Sequence, residues 1–185
     1  MDRGEERALI AQVLTGDRRA ARALYDAHVH RTYRLAFRLT RDSTAAEEVT
    51  QDTFVKVFER LDGFRQESQL STWIYRVTVS LALNRLRSER RLAQREVALE
   101  DAAEHVVQGS EGEPDLRERL GAAIAALPEL YRVPVLLFDV EGMSHAEMAE
   151  VLGVPEGTCK SRLARARAQL REALTVFAPG AEEKA

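Results

Sequence analysis

The chain has 185 residues, 45% of them hydrophobic and only 6% aromatic, which suits one ordinary domain or two small helical ones and excludes disorder throughout. Its formal net charge of -3 does not by itself indicate a nucleic-acid partner, so charge has to be analysed locally. A single cysteine, Cys159, excludes an internal disulfide, and no Cys or His cluster has the spacing of a structural zinc site.

The N-terminus and the hydropathy of the chain predict a cytoplasmic protein. Residues 1–6 are polar and lack the apolar core of a signal peptide. No stretch approaches the roughly 20 apolar residues of a membrane span. We therefore expect no membrane insertion and a reducing compartment, which fits the lone thiol.

Helical periodicity dominates the first half of the chain. No sustained alternation of period two is present, so we expect an all-α protein. The predicted N-terminal helices cover about 5–15, 17–40, 44–62 and 69–92. Asp17 and Asp42 offer capping oxygens at the starts of the second and third helices, and Gly63 is predicted to cap the end of the third.

An acidic segment separates the two halves of the chain. Residues 96–115 contain seven acidic side chains and no Lys or Arg, with Gly and Pro clustered near the end. This composition predicts a flexible linker over 94–115. Two interpretations stay open: a solvated joint, or an acidic strand that imitates nucleic acid inside a basic channel.

Helical periodicity resumes at Leu116 and continues to about Phe177. Breaks at Pro128, at Gly142 and at 153–155 divide this region into about four shorter helices. A proline inside a helix removes one backbone hydrogen bond, so Pro134 either kinks its helix or lies near the helix start.

The second half contains a predicted helix-turn-helix. Ser144 and Glu147 form a capping box, in which each side chain satisfies a backbone donor of the other at a helix start. Gly153 can adopt the left-handed conformation that ends this short helix, and Pro155 opens the next one. Two helices joined by so short a turn must cross steeply.

The second helix of this pair has one apolar stripe, formed by Cys159, Leu163, Ala166 and Leu170. Residues 155–171 carry five basic side chains and one acidic one, which is typical of a recognition helix in a DNA major groove, although a solvated charged face is the alternative. Ser161 and Arg165 share a face suited to base edges. The residues expected to hold phosphates are Thr158 at the helix start, Lys160, Arg162 and Arg167.

A second basic patch lies in the first half. Residues 76–95 contain six Arg and one Glu. Trp73 and Tyr75 precede Arg76, and this combination can stack on unpaired bases and neutralise phosphate. The alternative is that Trp73 belongs to the core, and both hold if one ring edge is buried.

Four ordered motifs carry a family resemblance. They are AEEVTQDTF at 46–54, FR at 64–65, STWIYR at 71–76, and GTCKSRL with RAR at 157–167. Together they resemble the sigma factors of the extracytoplasmic-function (ECF) type, over about 8–92 and 116–176. The resemblance implies a four-helix sigma-2 domain at 1–93, the flexible linker at 94–115, a sigma-4 helix-turn-helix domain at 116–178 and a tail at 179–185.

The same resemblance implies the partners and their contact residues. Core RNA polymerase would be bound through its beta-prime clamp and beta flap, and the positions that match the clamp motif are Glu48, Gln51, Asp52 and Lys56. The minus-ten promoter element would be bound by Arg65, Ser71, Trp73, Arg76, Ser80, Asn84, Arg87, Arg90 and Arg91. The recognition helix would read the minus-thirty-five element. An anti-sigma factor is a further expected partner, and no cofactor or metal is expected.

Departures from the family pattern are few. Thr50 stands where an apolar residue is more frequent, Ser80 where Asn is frequent, and Cys159 where Val is usual. The Ser80 departure leaves the minus-ten sequence preference open.

Two other classes of protein remain as alternatives. A stand-alone helix-turn-helix regulator would bind duplex DNA without polymerase, but basic charge is split between two blocks without an evident dimerisation stripe. An enzyme would need convergent catalytic or metal-ligating groups. The four histidines are scattered, and His28 and His30 lack the i, i+4 spacing that puts two ligands on one helical face.

Overall fold

The structure is a computed structural model that describes residues 3–65, 67–97 and 116–175. Every secondary-structure element in these ranges is helical, which confirms the all-α prediction. The chain divides into two compact units, one formed mainly by residues up to Arg95 and the other mainly by residues from Glu96 onward. Within the described ranges, no helix has both the length and the apolar character needed to cross a membrane.

Four helices build the first unit. They are α1 (Arg3–Leu14), α2 (Arg18–Thr40), α3 (Ser43–Glu59) and α4 (Leu70–Val97), and a short 3-10 turn, Leu61–Gly63, follows α3. The helix α4 runs past the predicted end at residue 92 and into the segment predicted as linker. The rest of that linker, 98–115, lies outside the described residues, as do 176–178 and the tail.

Side-chain caps begin α2 and α3 as predicted. The Asp17 carboxylate accepts a hydrogen bond from the backbone N–H of Arg19 at 2.7 Å, and that of Asp42 accepts one from Ala45 at 2.6 Å. Each cap satisfies a donor that has no partner inside its helix. These aspartates therefore determine where α2 and α3 begin.

The predicted glycine cap of α3 was wrong. Arg60 ends the helix with φ -119°, and its N–H bonds back to the Lys56 carbonyl at 3.2 Å. The chain then tightens into the 3-10 turn, where Gly63 does not adopt positive φ. Such a turn satisfies the last carbonyls by itself, so no left-handed residue is needed. Left-handed residues follow two helices of this unit, Gly16 after α1 with φ 89° and Arg41 after α2 with φ 62°.

The core of the first unit joins α1 to the other three helices. Its buried apolar cluster consists of Ile10, Leu24, Val57, Leu61, Leu70 and Ile74. Thr50 is also buried, and its hydroxyl donates to the Ala46 carbonyl at 2.7 Å. Because that hydroxyl has a partner, a threonine fits at a position where the family more often has an apolar residue.

The second unit contains four further helices. They are α5 (Leu116–Ala126), α6 (Glu129–Val135), α7 (His145–Leu152) and α8 (Glu156–Thr175). The predicted breaks are confirmed, and both Gly142 and Gly153 have positive φ, 74° and 64°. Pro134 lies inside α6, near its end, and a wider π-helical turn at Leu136–Val140 continues the helix.

A separate apolar cluster holds the second unit together. It consists of Leu127, Val135, Leu163, Ala166 and Leu170, so α8 packs on α6 and the end of α5. Arg132 is buried with this core, and one of its Nη atoms donates to the Ala125 carbonyl at 3.3 Å. The buried guanidinium thus joins α5 to α6, a role that its sequence position did not reveal.

Candidate functional site

One side of α3 combines acidic and apolar side chains. Glu48, Gln51 and Asp52 are all exposed and recur at the three- and four-residue steps of one helical face. Val55 continues that face and is 50% exposed. Single exposed apolar side chains are common on protein surfaces, so Val55 is informative only together with the apolar groove beside it, and the sequence analysis did not single it out.

A groove between α2 and α3 borders this face. It has a volume of about 680 Å³ and is lined by Tyr25, Val29, His30, Tyr33, Glu47, Thr50, Gln51, Phe54, Val55 and Phe58. The rings of Tyr25 and Phe54 pack at 4.7 Å between centroids. Gln51 and Val55 therefore lie where the polar face meets an aromatic groove.

Arg85 connects α3 to α4. One Nη atom of its guanidinium pairs with the Glu48 carboxylate, and its Nε donates to Glu89 at 2.8 Å. The Glu48 side chain is 54% exposed and the Arg85 side chain 33%. Arg85 was not among the predicted site residues, because its partner on α3 is distant in sequence.

A single stripe on α4 brings together most of the residues predicted to contact the minus-ten element. Steps of three and four residues connect Trp73, Arg76, Ser80, Asn84, Arg87 and Arg91. All six are exposed except Trp73, which is partly buried. Arg87 donates to the Asn84 side-chain oxygen at 3.2 Å. The stripe is thus a continuous polar and basic surface along the helix.

The remaining residues predicted for this surface lie beside the stripe. Arg65 is exposed in the segment before α4, Ser71 is partly buried in its first turn, and Arg90 is exposed near Arg87. Lys56 of α3 lines a groove of about 270 Å³ with Arg60, Trp73, Arg76, Val77, Ser80 and Leu81. The structure therefore places Lys56 among the basic α4 residues as well as next to the acidic α3 face.

Trp73 has a double environment. Its ring stacks on that of Phe64, with centroids 5.2 Å apart and an interplanar angle of 28°. It also packs against the core of the first unit while staying partly exposed. The two interpretations of Trp73, as a core residue and as a surface ring, are thus compatible.

The predicted capping box starts α7. The Ser144 N–H donates to the Glu147 carboxylate at 2.9 Å, and the Glu147 N–H donates to Ser144 Oγ at 3.2 Å. Gly153 ends the helix in the left-handed conformation, and α8 begins three residues later. The structure confirms the predicted helix-turn-helix in this local geometry.

One face of α8 is buried and the other is exposed, as predicted. The apolar stripe is buried, with exposed fractions of 0% for Cys159, 3% for Leu163 and 0% for Ala166. Lys160, Ser161 and Arg165 are exposed, whereas Thr158 and Arg162 are partly buried. Because a packed stripe holds one side of α8 in place, the other side presents its hydroxyl and basic groups in a defined orientation.

Arg167 has partners inside its own unit. Its Nε lies 3.3 Å from the Asp139 carboxylate, a second guanidinium nitrogen pairs with the same group, and its Cζ lies 5.3 Å from the Phe138 ring centroid. Phe138 in turn stacks on His145 with centroids 4.4 Å apart. The side chain predicted to hold phosphate thus links α8 to the π-helical turn and the start of α7.

The described residues do not assemble a metal centre. Across the described ranges, no group of three or more His, Cys, Asp or Glu side chains is placed to hold a metal ion. His28 and His145 each have one buried ring nitrogen that lacks a hydrogen-bond partner. Burial and the nearby Arg31 lower the pKa of His28, so its neutral form is favoured.

Comparison with protein families defines the class. The family model for sigma-70 region 2 matches residues 24–92, and that for sigma-70 region 4 matches residues 117–170. The first match covers the groove of α2 and α3 and the α4 stripe, and the second covers the helix-turn-helix.

Proteins that match most of this chain identify the subgroup of sigma factors to which it belongs. The chain is 36% identical over 168 residues to the ECF RNA polymerase sigma factor SigE of Mycolicibacterium smegmatis, covering 86% of this chain and 65% of that protein. It is 33% identical over 182 residues to the RNA polymerase sigma-H factor of Pseudomonas aeruginosa, covering 92% and 94%. The ECF RNA polymerase sigma factor SigM of Mycobacterium tuberculosis is 35% identical over 166 residues, covering 90% of this chain and 83% of that protein. The chain therefore belongs to the ECF sigma factors of the sigma-70 family.

A solved structure agrees with this membership. The sigma factor RpoE from Bartonella quintana, crystallised with the anti-sigma factor NepR, is similar with a TM-score of 0.64 and 27% identity. The similarity covers 85% of this chain and 98% of that one. The alternative of a stand-alone helix-turn-helix regulator is accordingly not favoured.

Proposed function

We propose that this chain binds core RNA polymerase, directs it to specific promoters and assists strand opening, with no catalysis of its own. Family membership supports this function, and the observation that carries it is that both units present exposed polar and basic helix faces, on α3 with α4 and on α8. The polymerase would form the phosphodiester bonds in the cytoplasm, and this chain would supply promoter choice.

The α3 face is the proposed contact for the polymerase clamp. Glu48, Gln51 and Asp52 offer charge and hydrogen bonds, while Val55 and the aromatic groove offer apolar area. Burying apolar surface supplies most of the favourable free energy of protein association, and the acidic rim would select a basic partner. The beta flap would bind the second unit, as the family resemblance implies.

The α4 stripe is the proposed contact for the minus-ten element. Its arginines would neutralise phosphates, and Ser80 with Asn84 would hydrogen-bond to bases of the displaced strand. Capturing a flipped base costs a few kcal/mol of stacking energy, which polymerase contacts and backbone charge would offset. The exposed part of Trp73 lies at the start of this stripe, where a base could stack.

The exposed side of α8 is the proposed contact for the minus-thirty-five element. Ser161 and Arg165 would read base edges, and Lys160 with Arg162 would hold phosphates. Thr158 would donate from the first turn of the helix. The pairing of Arg167 with Asp139 favours a different role for Arg167, which is to hold α8 at the correct angle for these contacts.

Regulation by an anti-sigma factor is part of the proposal. The similar RpoE structure contains the anti-sigma factor NepR, which supports the same kind of partner here. Such a partner would cover the α3 and α8 faces and so prevent both polymerase and promoter binding.

Run-off transcription tests this function. Purified core RNA polymerase is incubated with fragmented genomic DNA, with and without the full chain, and discrete transcripts are expected only with it.

Arg165→Ala should reduce transcripts from promoters with an upstream element by roughly tenfold, since one good base contact is worth about 1–3 kcal/mol. Changing both Gln51 and Asp52 to Ala should instead weaken polymerase binding.

The two variants test the proposed DNA contact on α8 and the proposed polymerase contact on α3 independently. Arg165→Ala should leave polymerase affinity unchanged, and the α3 variant should leave isolated DNA binding unchanged. Unaltered transcription from both would contradict the site assignments. Absence of transcripts, together with tight duplex binding by the protein alone, would favour the stand-alone regulator.

A further inference from the structure

Glu48 and Arg85 form an ion pair between the two helices that carry the first unit's interaction surfaces. Glu48 belongs to the α3 face proposed to meet polymerase, and its carboxylate pairs with an Nη atom of Arg85 on α4. Arg85 lies beside the basic α4 stripe and is not part of it. The acidic group that would attract a basic partner is therefore already neutralised within the chain.

Arg85 has a second carboxylate within reach. Its Nε donates to Glu89 at 2.8 Å, one helical turn further along α4. The Arg85 guanidinium can thus keep an anionic partner even when Glu48 leaves it. Among the described residues of the first unit, Glu48 makes no comparable second ion pair, and its side chain is 54% exposed.

We propose that Arg85 is an internal competitor of core polymerase for Glu48. In the free chain the guanidinium occupies the carboxylate, and docking of a basic polymerase surface on α3 opens this pair. Arg85 then keeps its bond to Glu89, so its guanidinium is shared with one carboxylate instead of two, beside the α4 stripe. This inference rests on the proposed polymerase-binding function of the α3 face.

The expected change in polymerase affinity is small because the Glu48–Arg85 ion pair is partly exposed to water. Ion pairs between partly exposed side chains are weak because water and salt screen them. Removing the internal competitor should therefore tighten polymerase binding only by roughly twofold to fivefold. Folding should be almost unaffected, because the core of the first unit does not include either side chain.

The test measures the affinity of the full chain for purified core RNA polymerase without DNA, at low salt. Arg85→Gln is expected to lower Kd by roughly twofold to fivefold, with the melting temperature unchanged within about 2 °C. Glu89→Gln is expected to raise Kd, because Arg85 would then pair with Glu48 alone. Arg19→Gln is the control, since it removes an exposed arginine on α2 outside the proposed polymerase contact, and its Kd should stay unchanged.

A double variant links the effect to Glu48. Glu48→Gln should weaken polymerase binding, and adding Arg85→Gln to it should change nothing further. If Arg85→Gln leaves Kd unchanged or raises it while Glu48→Gln weakens binding, the competition is overturned and the polymerase site stands. If Glu48→Gln itself leaves Kd unchanged, the role of Glu48 in that site is contradicted, and the competition with it.

Discussion

Cys159 lies within the buried stripe of α8, with no exposed surface. Burial away from water disfavours the thiolate and raises the pKa of the thiol, although the nearby Arg162 acts in the opposite direction. The thiolate is the reactive form, so this environment favours a packing role over redox sensing. Cys159 thus fits this position as a small apolar side chain, as Val would.

We expect Cys159 to react with a thiol reagent at pH 8 only as fast as the second unit opens. Complete labelling should be rapid in denaturant and slow in buffer, as followed by absorbance after addition of an aromatic disulfide. Cys159→Val should change the free energy of unfolding by less than about 1.5 kcal/mol. Cys159→Ser should cost about 1–3 kcal/mol, because it buries a hydroxyl.

Labelling in buffer at the rate of a free thiol would contradict this account of Cys159. It would show that the sulfur is reached without unfolding and would support a redox role.

At the scale of the element, the short helix α7 depends on its ends. It has eight residues, too few to be stable without packing or caps, and the Ser144–Glu147 box supplies the cap at its start. The stacked rings of Phe138 and His145 hold the same end against the π-helical turn. The cap therefore contributes to the stability of the first helix of the helix-turn-helix.

Ser144→Ala should lower the free energy of unfolding of the second unit by about 1 kcal/mol, since it removes the acceptor for the Glu147 N–H. Urea denaturation followed by circular dichroism measures this change. Ser88→Ala on the exposed side of α4 is the control, and we expect a change within about 0.5 kcal/mol. Equal effects of the two substitutions would mean that the capping box does not stabilise α7.

At the scale of the whole molecule, two separate apolar cores determine how the chain unfolds. The cluster around Leu24 belongs entirely to the first unit, and the cluster around Leu163 entirely to the second. We expect two small units joined by an acidic segment to unfold independently, because each buries its own apolar surface. This organisation suits the proposed binding of two promoter elements, one by each unit.

Leu24→Ala and Leu163→Ala should each destabilise one unit by about 2–5 kcal/mol and leave the other nearly unchanged. Hydrogen exchange resolved by peptide is the measurement, with loss of protection confined to the unit that carries the substitution. Loss of protection throughout the chain from either substitution would show that the units unfold as one.

Local chemistry made much of this architecture predictable. Helical periodicity, the caps at Asp17 and Asp42, the capping box and the turn glycines all depend on residues within a few positions of one another. The buried stripe of α8 and the exposed stripe of α4 follow from the same short spacing. The prediction for Gly63 failed because a 3-10 turn ended α3 first, an alternative that the local sequence did not distinguish.

The sequence by itself determined the helices, their order and the faces proposed to bind partners, because these depend on short-range periodicity. Tertiary structure alone decided the partners of individual charges. Arg85 meets Glu48 across 37 residues, and Arg167 meets Asp139 across 28. Such pairs, like the groove beside Val55, arise only when packed helices bring distant residues together, and no local spacing encodes that approach.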